Sequence, residues 1–185
     1  MAYVSKKARL SADALWDYAV KTLAGRSQSS SELRRKLAAK AERAEDVDAV
    51  LARLKEYGYL NDRQFAESYA GARLENRGLG KSRVLRDLRA RRVAPAVAER
   101  AVAKAYSGVD ENSLIEQFVD RKILRLRSGA LFQDPKELAS AYRKLIRAGF
   151  TSGNVLRVLK RLAKDPEIVD GFQPPAEEAE PDSDR

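Results

Sequence analysis

The sequence predicts an all-α protein of about nine helices arranged as tandem three-helix repeats. Apolar residues recur at helical spacing almost throughout the 185 residues, and no segment alternates cleanly between apolar and polar side chains. Hydrophobic residues make up 44% of the chain, which is enough for one sizeable core or a short series of small ones. Helical units that each bury one face against a neighbour build an elongated, curved array, and we expect that shape here.

Start and end signals bound the first three helices. The first helix should stop near Gly25, and Ser29 with Glu32 forms a capping box that opens the second. Gly58 follows the third helix and can adopt the left-handed conformation of a helix C-cap. The apolar residues expected on these helices are Leu15, Trp16, Ala19, Val20, Leu23, Leu33, Leu37, Val47, Val50, Leu51 and Leu54.

The next three helices repeat this plan. Asn61 with Gln64 is a second capping signature, and the helix that follows closes before Gly78. A fifth helix begins after Gly80, and a sixth begins at Pro95. The apolar residues predicted to line these helices are Phe65, Tyr69, Leu74, Val84, Leu85, Leu88, Val97, Ala101 and Val102.

The last three helices carry the strongest apolar patterns. The seventh, with Leu114, Ile115, Phe118, Val119, Ile123 and Leu126, is expected to be the longest. Asp134, Pro135 and Glu137 predict an N-cap, an N1 proline and an N3 acid for the eighth. Gly149 closes that helix, and Thr151 is the predicted cap of the ninth. The apolar residues expected on the last two helices are Leu138, Tyr142, Leu145, Ile146, Val155, Leu156, Leu159 and Leu162.

The second helices of the three groups superpose on one another. In each, two apolar residues lie four apart and an arginine lies two residues before the second of them. The apolar pairs are Leu33 and Leu37, Val84 and Leu88, and Ala141 and Leu145, and the arginines are Arg35, Arg86 and Arg143. Two residues correspond to about 200° around a helix, so we expect these arginines to face away from the core in every repeat.

Charge is distributed unevenly along the predicted organisation. That organisation is an N-terminal extension at residues 1–13, repeats at 14–60, 61–107 and 108–164, and a tail at 165–185. The tail is acidic and rich in proline, and we expect it to be disordered. It carries eight acids and one arginine, a net charge of −7 that leaves +16 on residues 1–164. So basic a body makes nucleic acid or an acidic protein surface the leading class of partner.

Several kinds of chemistry lack the residues they need. The chain has no Cys and no His, which excludes disulfides, thiol nucleophiles, imidazole bases and the usual zinc sites. Gly78 to Ser82 imitates the end of a phosphate-binding loop, but Glu75 stands where that motif requires glycine. No spacing adds a third carboxylate to the acidic pairs at predicted helix starts. We expect no enzyme activity, no cofactor and no metal.

The chain shows no signal for a membrane or an export route. It contains no run of about 18 apolar residues, and its first ten residues lack the apolar segment of a signal peptide. We expect a cytoplasmic monomer with no membrane partner.

Basic residues are therefore the candidate functional residues. Lys81, Arg83, Arg86, Arg89, Arg91 and Arg92 lie on or beside the fifth helix, with Asp87 as the one acid among them. Arginine favours bidentate contacts with phosphate or carboxylate, so the arrangement predicts a binding stripe, and a solvated surface face is the alternative. The residues predicted to bind a partner or nucleic acid are Arg35, Arg73, Arg77, Lys81, Arg83, Arg86, Arg89 and Arg143.

The stretch from Tyr57 to Ala66 is the most distinctive in the chain. It reads as a glycine C-cap, a hydrophobic contact and an immediate N-cap. We interpret it as a structural hinge between two repeats, which needs no ligand.

With these motifs the chain resembles the RecX family, bacterial regulatory proteins that act on the recombinase RecA. The resemblance runs from about Ala14 to Ala163. It rests on Glu32 to Leu37, Tyr57 to Ala66, Arg73, Arg77 to Gly80, Val84 and Leu88, with a weaker match at Leu145, Gly149 and Phe150. Asn61 stands where the family usually has an acid, a change that keeps the N-cap, and the acidic tail is not part of the family pattern.

The resemblance implies tandem three-helix repeats and a function without catalysis. A member of this family binds the RecA filament along its helical groove and restrains ATP hydrolysis, strand exchange and the SOS co-protease activity. Single-stranded DNA is a second expected partner, and binding to double-stranded DNA is left open. Two alternatives stand beside this reading. One is a helical DNA-binding protein, architectural or transcriptional, that acts without RecA, and the other is a magnesium-dependent nuclease.

Overall fold

A computed structural model describes residues 9–123 and 135–163. Their helices are α1 (Ala12–Gly25), α2 (Ser30–Ala38), α3 (Ala44–Glu56), α4 (Asp62–Arg77), α5 (Lys81–Ala90), α6 (Pro95–Ala105), α7 (Glu111–Lys122), α8 (Pro135–Arg147) and α9 (Ser152–Leu162). An isolated parallel bridge joins Leu10 and Ala41. The predicted all-α class with tandem three-helix repeats is confirmed. The predicted tail, Leu126 and the Asp134 cap lie outside the described residues.

The capping signals of α2 and α4 act as predicted. Ser29 Oγ accepts a hydrogen bond from the Glu32 N–H at 3.1 Å, and the Ser29 N–H donates to Glu32 Oε2 at 3.2 Å. Asn61 Oδ1 accepts from the Gln64 N–H at 3.0 Å. Thr151 occupies the predicted N-cap position of α9, but its hydroxyl donates to the Glu111 carboxylate instead of capping the helix.

The ends of α5 and α8 have the same backbone conformation. Arg92 follows α5 with a φ of 58°, and Gly149 follows α8 with a φ of 92°. The next residue in each case, Val93 or Phe150, is buried and donates its N–H back into the last turn of the helix, at 3.1 and 3.3 Å. These positions correspond in the repeat superposition, so the local structure repeats as well as the sequence.

The described residues divide into two compact units. The first contains residues 9–76 and 84–107, and the second contains residues 77–83 with 108–123 and 135–163. The boundaries of the three predicted repeats and the curved shape of the array stay predictions.

In the first unit, α1, α2 and α3 pack around a leucine-rich core. Leu15, Leu33, Leu37 and Leu54 are completely buried. Each such side chain contributes about 1.5–3 kcal/mol relative to an exposed one. This core contains most of the apolar residues that the periodicity predicts, but Trp16, Val20 and Leu23 are only partly buried against it.

The buried face of α4 differs from the prediction. Ala66 and Ala70 are completely buried, whereas Phe65, Tyr69 and Leu74 are partly exposed. One residue step rotates about 100° around a helix, so Phe65 and Tyr69 lie at the edge of the face whose centre the two alanines occupy. The prediction chose Phe65 and Tyr69 because they are large and apolar, but the small side chains of Ala66 and Ala70 face the core.

The second unit has its core between α7, α8 and α9. Ile115, Leu138, Leu145 and Leu159 are completely buried. The prediction that α7 is the longest helix is wrong, because α7 has 12 residues and α4 has 16. Apolar periodicity identifies the side chains that pack, but it does not identify where the hydrogen-bonded ladder ends.

The start of α5 and the end of α8 approach each other backbone to backbone in the second unit. The Gly80 N–H donates to the Ala148 carbonyl at 2.8 Å, and the Ser82 N–H donates to the Gly149 carbonyl at 3.3 Å. A Cβ on Gly80 would lie 2.1 Å from the Gly149 oxygen, and one on Gly149 would lie 2.3 Å from the Arg83 nitrogen. Both positions therefore require glycine. The sequence indicated Gly80 only as a helix boundary, but in the structure it also permits the close contact with the end of α8.

Candidate nucleic-acid interface

Exposed arginines lie opposite the buried faces of α2, α5 and α8. Each is two residues from a buried residue on either side: Arg35 between Leu33 and Leu37, Arg86 between Val84 and Leu88, and Arg143 between Ala141 and Leu145. Two residues rotate by about 200°, so each side chain leaves the helix on the side away from the core. We call these three the repeated arginines. The structure places all three as expected, and their binding role stays a prediction.

The remaining predicted residues differ in their surroundings. Lys81, Arg83 and Arg89 are exposed on α5, Arg77 is exposed at the end of α4, and Arg73 is partly buried. Arg83 donates to the Arg147 carbonyl at 3.4 Å, within the second unit. Arg89 lies 3.9 Å from Glu99, and both side chains are about 60% exposed, so solvent screening leaves little attraction.

Four of these eight residues belong to each unit. Arg35, Arg73, Arg86 and Arg89 belong to the first, and Arg77, Lys81, Arg83 and Arg143 belong to the second. A continuous binding stripe that includes all eight stays a prediction.

Arg91 belongs to the packing of the first unit and not to its basic surface. Its guanidinium lies 3.3 Å from Glu32 Oε1 and 4.9 Å from the centroid of the Tyr69 ring. Its carbonyl accepts a hydrogen bond from the Ser29 hydroxyl at 2.6 Å. The capping box of α2 is thereby bonded to the end of α5. Arg91 therefore differs from the exposed cations of α5, because a nearby carboxylate and ring hold it.

Arg73 has a packing contact as well. Its guanidinium lies 4.6 Å from the centroid of the same Tyr69 ring. The Tyr69 hydroxyl donates to Asp87 at 3.1 Å, and Asp87 is the one acid of α5. A variant of Arg73 would therefore change the packing of the first unit as well as its charge.

Sequence reasoning missed an aromatic cluster formed by Trp16, Tyr57 and Tyr59. The ring centroids of Trp16 lie 5.9 Å from Tyr57 and 6.5 Å from Tyr59, and the two tyrosines lie 6.3 Å apart. Tyr57 and Tyr59 are 58% and 59% exposed. The Arg53 guanidinium lies 4.2 Å from the Trp16 centroid. Two tyrosines flanking a C-cap glycine are the signal that could have identified this surface.

A cavity of about 460 Å³ in the first unit begins beside Tyr59. Its lining residues are Leu23, Arg26, Ser27, Gln28, Gly58, Tyr59, Asn61, Gln64, Phe65, Ser68, Tyr69 and Arg91. The two cations in this lining, Arg26 and Arg91, lie 3.9 and 3.3 Å from Glu32, which is outside the lining. The partly exposed rings of Phe65 and Tyr69 are thus accounted for, since they form one wall of the cavity.

Glu67 and Asp110 each have a pKa below the usual range of a carboxyl group. For Glu67 the main cause is the hydrogen bond from Lys104 Nζ at 2.7 Å, followed by the bond from Arg63 at 3.0 Å. For Asp110 the main cause is the Ser113 hydroxyl, which donates at 2.6 Å while the Ser113 N–H donates at 2.9 Å. Glu67 therefore partly neutralises the cations on α4 and α6, and Asp110 serves as the N-cap of α7.

The structure offers no metal centre or membrane span in the part of the chain that it describes. No group of three or more acidic side chains among these residues could hold a metal ion. None of the helices in residues 9–123 and 135–163 is both long and apolar enough to cross a membrane.

Comparison with known proteins identifies relatives that are described as the regulatory protein RecX. The family model described as the RecX first three-helix domain matches residues 16–54, and the model of the second matches residues 61–102. The chain is 32% identical to the regulatory protein RecX of Deinococcus radiodurans, over 82% of this chain and 70% of that protein. It is 31% identical to RecX of Amycolatopsis mediterranei, over 75% and 77% of the two chains.

Solved structures share the fold. The crystal structure of RecX from Lactobacillus salivarius superposes with a TM-score of 0.65 at 16% identity, over 82% of this chain and 96% of that one. A second crystal structure, of a regulatory protein RecX, gives a TM-score of 0.64 at 17% identity, over 81% and 73%. The sequence identity of 31–32% over 70% and 77% of two relatives, together with the two matching three-helix domains, shows that this chain belongs to the RecX family.

Proposed function

We propose that this protein binds the RecA nucleoprotein filament and regulates it. It mainly inhibits the ATPase, strand-exchange and co-protease activities of the filament in recombinational repair and the SOS response. The observation that carries the proposal is the exposed arginine opposite the buried face in α2, α5 and α8 of a RecX-family chain.

The chemistry of the repeated arginines suits such a filament. A nucleoprotein filament presents phosphates and acidic side chains at regular intervals, and a guanidinium binds either one through two parallel hydrogen bonds. The net charge of +16 on residues 1–164 favours association with a polyanion. A bound regulator with higher affinity for one state of the filament shifts the population toward that state, so inhibition requires no catalytic residue.

The test is the steady-state ATPase activity of the cognate RecA on single-stranded DNA during titration with this protein. We expect inhibition well below one molecule per RecA, because a regulator bound along the filament acts on several subunits. An unchanged ATPase rate, together with intact DNA binding by this protein, would contradict the proposal. It would favour the alternative function, a helical DNA-binding protein that acts without RecA.

A further inference from the structure

Helix capping does not account for the aromatic residues on either side of Gly58. The Gly58 N–H donates to the Lys55 carbonyl at 3.0 Å, and the Tyr59 N–H donates to the Leu54 carbonyl at 2.9 Å. With a φ of 73° at Gly58, this is a Schellman motif made by backbone groups alone. The next residue, Leu60, is 4% exposed and belongs to the core of the first unit, whereas Tyr59 is 59% exposed. The exposed rings of Tyr57 and Tyr59 therefore contribute little to ending α3.

These rings form an ordered surface with a cation beside it. The mutual distances of 5.9 to 6.5 Å hold the three rings of the aromatic cluster against one another. Arg53 lies 4.2 Å from the Trp16 centroid and 5.5 Å from the Tyr57 centroid. Apolar side chains exposed one by one are ordinary, but a contiguous exposed apolar patch marks an interaction site.

The charges around the cluster indicate a polyanion. Arg53 lies against the rings, and Arg26, whose side chain is 63% exposed and lies 3.9 Å from Glu32, lines the cavity that begins at Tyr59. The lining of that cavity includes arginine but no acidic residue. Its volume of about 460 Å³ lies within the range of ligand pockets.

We propose that the aromatic cluster is a stacking platform for the bases of single-stranded DNA, with Arg53 and Arg26 contacting the adjacent phosphates. Every base offers a flat face to an aromatic ring, and proteins that bind single strands combine such rings with a cationic groove. A duplex hides these faces within its stack. The inference deepens the proposed function and rests on it, because it assigns the contact with the DNA of the filament to a surface that the repeated arginines do not include.

Trp16 provides a direct probe, because it is the only tryptophan in the chain. The full-length protein is titrated with an oligothymidine of about 20 nucleotides, while Trp16 emission and the anisotropy of the labelled DNA are both recorded. We expect Trp16 emission to fall with the same midpoint as the anisotropy change, and a duplex of equal length to produce a smaller change. Saturated DNA binding without any change in Trp16 emission would overturn the proposal.

Paired variants test the rings themselves. We expect Y57A/Y59A to weaken binding to the oligothymidine about tenfold to a hundredfold, because stacking on both rings is lost. The matched control Y57F/Y59F keeps both ring faces, and we expect its affinity to stay within about twofold of the unchanged protein. Circular dichroism melts of both variants establish that the fold persists.

Two results would contradict the assignment in different ways. Equal affinity of Y57A/Y59A and Y57F/Y59F for single-stranded DNA would overturn it. If Y57A/Y59A also fails to inhibit the RecA ATPase at that unchanged DNA affinity, the cluster contacts RecA instead. The proposed function is tested separately. If the protein without substitutions does not inhibit the RecA ATPase, the proposed function is wrong, whatever the Trp16 emission shows.

Discussion

The surroundings of an arginine decide how much it contributes to the fold. Arg91 lies against Glu32 and the Tyr69 ring, and its side chain is 21% exposed. Arg35, Arg86 and Arg143 project from the opposite side of their helices into solvent. A partly buried guanidinium beside a carboxylate costs more to disturb than an exposed one, whose interactions solvent screens.

Reversal of one repeated arginine tests this distinction. We expect Arg86→Glu to weaken binding to the RecA filament about tenfold, because a favourable charge contact becomes a repulsive one. Helical content and melting temperature should stay nearly unchanged, since Arg86 is exposed. Binding is measured by filament pull-down or anisotropy. Arg100→Glu on α6, also exposed, is the matched control with the same change in net charge. Equal affinity of the two variants would contradict a specific role for Arg86.

The burial of Tyr106 should make the free energy of unfolding depend on pH in the alkaline range. Burial raises the pKa of Tyr106 from 10.0 to about 12. A group whose pKa is higher in the folded state stabilises the fold below its unfolded pKa, and that contribution is lost as the pH rises from about 10 to about 12. We expect the free energy of unfolding to fall by about 1 kcal/mol between pH 9 and pH 11 on account of this residue. Tyr106→Phe should lack that component in urea titrations at the two pH values. A pH dependence equal to that of the unchanged protein would refute the assignment.

At the scale of elements, the ends of helices do more than terminate them. The capping box of α2 is bonded to the end of α5 through Ser29 and Arg91, and the Ser30 N–H donates to Asp62 at 2.7 Å. These contacts link the first three helices to those that follow within the first unit. In the second unit, carbonyls at the end of α8 accept hydrogen bonds from the start of α5. Backbone groups left unpaired at helix ends thus become the joints between elements.

The close backbone approach at Gly80 and Gly149 allows a prediction of how much one added methyl group lowers the free energy of unfolding. We expect Gly80→Ala to lower the free energy of unfolding by about 2 kcal/mol or more, because the new Cβ would meet backbone atoms that cannot rotate away. Gly149→Ala should do the same and add the strain of a φ of 92°. Chemical denaturation measures both effects.

Gly153 offers a matched control for these substitutions. It lies within α9, and a Cβ there would meet no atom within 4 Å. We expect Gly153→Ala to raise the free energy of unfolding by up to about 1 kcal/mol, because alanine favours the helix. Equal effects at Gly80 and Gly153 would show that the close backbone approach does not contribute to stability.

At the scale of the whole molecule, opposite charges are separated along the chain. Residues 165–185 carry a net charge of −7, and residues 1–164 carry +16. An acidic segment attached to a basic body competes with DNA phosphates for the same cations. The charge of the whole protein, +9, therefore understates the attraction that its basic part exerts on DNA.

Removal of the acidic segment tests that competition. We expect deletion of residues 165–185 to tighten binding to DNA, and to do so more strongly at about 50 mM salt than at about 200 mM, because salt screens the competing charges. Anisotropy titrations with labelled DNA measure the effect. A variant of full length with its tail Asp and Glu changed to Asn and Gln should behave like the deletion. Unchanged affinity at low salt would show that the segment does not compete.

The sequence by itself determined the order of the helices and the direction of most of their faces, α4 being the exception. Periodicity is a local property, so it identified the leucines of α1 to α3 and the outward direction of Arg35, Arg86 and Arg143. Capping uses residues three or four apart, so Ser29 with Glu32 and Gly149 were also readable from the chain. The motifs from Glu32 to Gly80 carried the resemblance to the family that the comparisons then showed.

Only the tertiary structure decided which residues distant in sequence meet. It placed Arg91 against Glu32, brought Gly80 to Gly149, and left Tyr57 and Tyr59 exposed beside Trp16. It also showed that Ala66 and Ala70, and not Phe65 and Tyr69, occupy the centre of the buried face of α4. Contacts of this kind depend on how helices pack and not on the order of residues within one helix. A local pattern therefore cannot specify them, because many packings bury the same apolar stripe.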